Sequence, residues 1–214
     1  MRYSQLSGAL IAERYAFVIE PTENLMSRHP EIAQELDDSF FQNIIDKYKN
    51  RLDVENIKNE LSRLIDINNH VENNFGQLLI LNADWSDGLR SGNVKSFLTK
   101  AQTSYLVHYD FDLSLLVGKF TSSNNKMVFP ATVESDQAWI THFCTTKTDG
   151  IDINLQEKKQ ACLNARNRLL LQKSDVLKTI TDFRFLDFDD KKIFLDRANT
   201  FFKALEQLDS SILN

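Results

Sequence analysis

Few residue pairs in this chain have a spacing that could do chemistry. His108 and Asp112 stand four apart. On a helix, imidazole and carboxylate would meet on one face. The carboxylate would then orient the ring and raise its basicity, as an acid–base dyad requires. The same contact would also simply satisfy two polar groups on a mostly apolar helix. With Arg166 as an anion-holding partner, the pair is the candidate catalytic set: His108, Asp112 and Arg166. Arg63 precedes His70 with six residues between, inside a strongly periodic segment, where it reads as surface polarity. His29 and His142 complete the histidines, and none has a second histidine three or four positions on. No P-loop, GxSxG, HExxH or EF-hand pattern occurs, so neither metal nor cofactor is expected.

A second constellation is basic. Between Gln156 and Lys178 lie Lys158, Lys159, Arg166, Arg168, Lys173 and Lys178 against Glu157 and Asp175, a local +4 in a chain of −5. Such a strip can meet RNA phosphates, present a solvated face, or dock an acidic surface. Arg166, Asn167, Arg168, Gln172 and Lys173 are the candidate RNA- or partner-binding residues.

The elements that would position these groups read as helices. Residues 4–19 form one, stopped by Pro21, and Pro30 suits the first turn of a second over 31–49. Ile57, Leu61, Leu64, Asn68, Val71, Phe75 and Leu78 alternate in steps of four and three, which predicts a helix over 53–83 capped by Asp53. Asn68 is the polar member of that seam, where a buried amide would set register. A fourth helix is expected over 93–120. Its apolar residues on several sides (Leu98 and Leu115 among them) suit a central position. Residues 121–133 read as a loop. Helices follow over 135–145 and 154–178, and then a last one over 190–208 behind Asp189. The stripe of the last helix is Phe194, Arg197, Phe201, Leu205 and Leu208. Ile57, Leu61, Leu64, Phe75, Leu98, Leu115, Leu169, Phe194 and Phe201 are the expected core.

The pattern predicts an all-α protein, a helical bundle of about five to seven helices. Residues 1–52 would be an N-terminal two-helix extension and 53–214 the bundle. Composition agrees. Two hundred and fourteen residues bury a core without staples. Six glycines and three prolines are too few for a many-turned β-sandwich, and the net charge of −5 excludes a uniformly basic nucleic-acid coat. Cys144 and Cys162 are expected as separate, buried, reduced thiols. With no apolar run long enough to span a bilayer, a cytoplasmic protein is expected.

The run LNARNRLLLQKSD (Leu163–Asp175) resembles the signature helix of HEPN domains of the abortive-infection and toxin type. In that family an Arg and a polar residue precede a His by four to six positions. Arg166-Asn167 matches the first part, Gln172 stands where the His belongs, and Ser174-Asp175 follows one residue late. Phe111–Phe120 and the closing helix are similar to the family's flanking helices, and the likeness covers roughly 54–208. The resemblance implies an all-α fold, a homodimer, a bacterial or phage defence or toxin–antitoxin setting, and metal-independent RNA cleavage. Gln172 departs from it, because an amide cannot take up and return a proton near neutral pH. Six helical steps also leave Arg166 and Gln172 about 120° apart. The expected function is therefore RNA or partner-protein binding without assured catalysis, or a non-enzymatic scaffold subunit.

Overall fold

The structure, a computed structural model, describes residues 2–4, 10–13, 21–36, 40, 43, 60, 63–82, 94–108, 132–146, 154–184, 186 and 188–208. Among them the chain forms five strands, β1 (Arg2–Ser4), β2 (Leu10–Glu13), β3 (Ile32–Leu36), β4 (Val94–Thr99) and β5 (Ser104–His108). There are five helices, α1 (Thr22–Arg28), α2 (Ile67–Ile80), α3 (Val133–Thr145), α4 (Leu155–Asp182) and α5 (Phe188–Gln207). The chain is mostly helical but not all-α: β3, β4 and β5 make an antiparallel sheet, and β1 pairs with β2.

Three expected helices give way to strands. In place of the helix over 4–19, β2 pairs antiparallel with β1, Glu13 opposite Arg2 and Ala12 opposite Tyr3. Just before 31–49, α1 closes at His29, the residue before Pro30, which proline biases toward extended backbone. β3 then pairs with β4. Of the remainder, Phe40 and Asn43 are helical and the other residues of 37–49 lie outside the described residues. The expected helix over 93–120 is a hairpin as far as His108. Its turn places Gln102 at φ +64°. β4 is the central strand, with Ser96, Phe97, Leu98 and Thr99 all buried. A strand covered on both faces does not alternate, and a short apolar run of this kind cannot be told from a buried helix by periodicity. Residues 109–131, including Asp112 and Leu115, lie outside the described residues.

The long helix expected over 53–83 is interrupted. Glu60, Arg63 and Leu64 are helical, but Ile65 bridges Ser104 of β5. Asp66 then starts α2 afresh, its carboxylate accepting the N–H groups of Asn68 (3.0 Å) and Asn69 (3.1 Å). Asn68 consequently faces solvent, while Val71, Phe75 and Leu78 keep the buried seam. Asp53, Ile57 and Leu61 lie outside the described residues. α3 opens with a capping box between Thr132 and Ser135. α4 is capped by Asn154 and runs a turn beyond its expected end.

α2 packs on α4 and α5, α3 on α4 and α5, and α4 on α5. Their shared core holds Val71, Phe75, Ile140, Phe143, Cys162, Ala165, Ala198, Phe201, Phe202 and Leu205. Phe194 and Phe201 are buried as expected, whereas Leu64 and Leu169 are half-buried. The cysteines depart from expectation. Cys144 of α3 and Cys162 of α4 form a disulfide, their Cα atoms 6.1 Å apart. No helix among the described residues is long and apolar enough to cross a membrane.

The sheet joins the helices through two asparagines. Asn69 accepts the Leu106 N–H at 2.8 Å. Asn73, one turn on, donates to the Leu106 carbonyl at 2.9 Å. α2 thus takes the place of a further strand along the outer edge of β5, whose main-chain groups need partners.

Candidate phosphate or partner interface on helix α4

The fold turns the three basic residues Arg166, Arg168 and Lys173 of α4 toward two neighbouring helices. Arg166 and Lys173 lie seven apart and turn toward α5. Arg166 Nε donates to the Leu205 carbonyl at 2.7 Å and Nη2 to that of Glu206 at 3.4 Å, while Nη1 reaches Asn167 Oδ1 at 3.2 Å. The last carbonyls of a helix lack intrahelical donors and carry partial negative charge, so this guanidinium caps α5 and complements its dipole. Lys173 Nζ bonds Glu206 Oε1 at 2.7 Å and lies 6.0 Å from the Phe202 ring centre. Arg168 points toward α2. Its fork binds Glu72 through both oxygens, Nη2 to Oε1 at 2.7 Å and Nη1 to Oε2 at 3.0 Å. Burial pushes the Glu72 carboxyl above the ordinary glutamate range, opposed by Arg168 and reinforced by Asp66.

Gln172 is exposed, as is Asn167. Lys178 pairs with Asp182 on its own helix. Arg166 and Gln172 therefore do not converge within one chain.

The other expected pairs are not assembled as their spacing suggested. His108 ends β5 opposite Val94. The one-turn proximity expected of Asp112 requires a helix that His108 is not on, and Asp112 lies outside the described residues. Arg63 is exposed, whereas His70 is buried with its ring centre 6.0 Å from that of Phe143. The two present no common surface. His29 bonds Glu31 at 2.9 Å. Among the described residues no group of three or more His, Cys, Asp or Glu is placed to hold a metal ion.

Sequence reading missed two buried cations. Arg197 bonds Asp136 at 2.5 Å and donates to the carbonyls of Leu78 (2.5 Å) and Leu79 (3.1 Å), closing α2 as Arg166 closes α5. Burial pushes the Asp136 carboxyl above the ordinary range, against the pull of Arg197. Lys158 is buried, its Nζ donating to the Thr146 carbonyl at 3.1 Å and lying 4.0 Å from the Phe143 ring centre. A signal was present for Arg197, which is the cation in the otherwise apolar stripe of the last helix, and a buried charge needs a partner.

Comparison of the chain with protein-family models, with curated proteins and with solved structures finds no match.

Proposed function

We propose that this chain is a HEPN-like, non-enzymatic helical protein that works by binding a partner protein, with the motif helix retained for architecture. One observation carries the reading. Arg166, Arg168 and Lys173, the groups that would grip phosphate, are each bonded to an acceptor within the fold. A phosphate would have to displace Glu72, Glu206 or the end of α5. Gln172 supplies no titratable group in the position of the family's His. The surface favours a protein partner: Leu171, Phe183, Phe188 and Ile193, all on the α4–α5 hairpin, are 83%, 46%, 81% and 45% exposed. The defence or toxin–antitoxin setting, the homodimer and the cytoplasmic location implied above belong to the same reading.

Titration of labelled single-stranded RNA over a range of salt tests it. Phosphate contacts give affinity that falls steeply with salt. The expected result is weak binding that Arg166→Glu leaves unchanged while lowering the melting temperature. Tight, steeply salt-dependent binding that Arg166→Glu abolishes at unchanged melting temperature overturns the reading in favour of RNA. Cleavage of RNA in excess chelator overturns it in favour of the nuclease.

A further inference from the structure

One corner of the core is tied in three ways. The last turn of α3 carries Phe143 and Cys144, with Thr146 as its C-cap, and the second and third turns of α4 carry Lys158 and Cys162. The Cys144–Cys162 bond crosses between them. One turn before Cys162, on the same face of α4, the Lys158 ammonium donates to the Thr146 carbonyl and lies over the Phe143 ring. Cys144 and Cys162 are both 0% exposed.

These contacts differ in what breaks them. The lysine contacts are insensitive to thiol chemistry. The disulfide is removed by two equivalents of a thiol reductant: both sulfurs gain an electron and a proton, and the reductant leaves as its own disulfide. An oxidant that accepts two electrons and two protons restores it. With both sulfurs buried, exchange must await separation of α3 from α4, because an attacking thiolate needs access.

From this corner we infer that Cys144–Cys162 is a redox-controlled clasp on the helical core. Oxidised, it locks the C-terminal end of α3 onto α4. Reduced, it leaves that end held by Lys158 and by apolar packing, so the molecule loosens locally without unfolding. Removing a cross-link restores freedom chiefly to the unfolded chain, and closing a loop of 18 residues is within the range where the effect is measurable. The clasp also reconciles a buried disulfide with the cytoplasmic setting proposed above, where such bonds are usually transient and redox-sensing.

The test uses the full chain, oxidised and after treatment with dithiothreitol, with Cys144→Ser/Cys162→Ser as control. Peptide mapping under non-reducing conditions should find the intramolecular bond. Reduction should lower the melting temperature by roughly 5–10 °C and leave the unfolding cooperative. The serine variant should melt alike with and without dithiothreitol. Hydrogen exchange should quicken more in α3 and the first turns of α4 than in α5, whose slowest amides report only the loss of global stability. Free thiols in air-oxidised native protein overturn the inference. So does an unchanged melting temperature after reduction is verified by mass, which makes the bond inert. Complete unfolding on reduction overturns it too, since the bond would then be an obligate staple.

Discussion

At the scale of single residues, two arginines act as architecture. Arg166 closes α5 and Arg197 closes α2, each through main-chain carbonyls. The two differ in burial, and their losses should differ accordingly. Arg166 is half-buried, so Arg166→Ala should cost about 1–2 kcal/mol, the scale of charge-assisted hydrogen bonds and dipole contacts. Arg197→Met strands the buried Asp136 and should cost about 3–5 kcal/mol, with much of it recovered when Asp136→Leu is added. Urea unfolding of the three variants reads both. A third contact adds a pH signature. Lys95 hydrogen-bonds Glu35 at 2.8 Å and thereby holds its carboxyl below the ordinary value of 4.5. A depressed folded pKa contributes stability that is present above the ordinary value and lost as pH falls through the depressed one. Wild type should exceed Lys95→Met by under about 1 kcal/mol at neutral pH, since the pair is partly exposed. Unfolding in urea at falling pH should show the gap closing below the ordinary glutamate value.

At the scale of elements, α2 is where sheet and helices are joined. Asn69 and Asn73 together satisfy both main-chain groups of Leu106. Asn69→Ala leaves the Leu106 N–H without its acceptor and should cost about 1–3 kcal/mol, the penalty for a buried unsatisfied donor. The Leu106 amide should accelerate more than the slowest amides of α5, which report only the loss of global stability, and that difference distinguishes a lost junction from general destabilisation. Elements also show where periodicity is a sound guide. α3, α4 and α5 lie close to their expected spans because each has one buried stripe, and α3 and α4 have side-chain caps at their starts; α5 begins at Phe188, so Asp189 lies in its first turn and does not cap it. β4 was hidden because it is covered on both faces, so Ser96 to Thr99 show no alternation. The break at Ile65–Asp66 was hidden too. The seam continues across it in sequence, and only pairing of Ile65 with Ser104 reveals it.

At the scale of the whole molecule, stability rests on the core shared by α2, α3, α4 and α5. Phe201 is 0% exposed there, and Phe201→Asp should leave the protein unfolded or aggregated, because an unpaired buried charge costs several kcal/mol. Soluble expression with an unchanged melting temperature would refute that placement. What the residues determined by themselves was local: the helical face of α3 to α5, the stripe Phe194–Arg197–Phe201–Leu205–Leu208, and the excess of cations on α4. Each depends on neighbours within a turn or two, which spacing records. Tertiary structure alone decided the rest. Strand pairing between β3 and β4, the Cys144–Cys162 bond, the Arg197–Asp136 pair and the commitment of Arg166, Arg168 and Lys173 to internal acceptors all join residues distant in sequence. A cation's sequence neighbours report that it is charged. Whether its charge is available to a ligand is set by what the fold brings within three ångströms of it, and no local pattern carries that information.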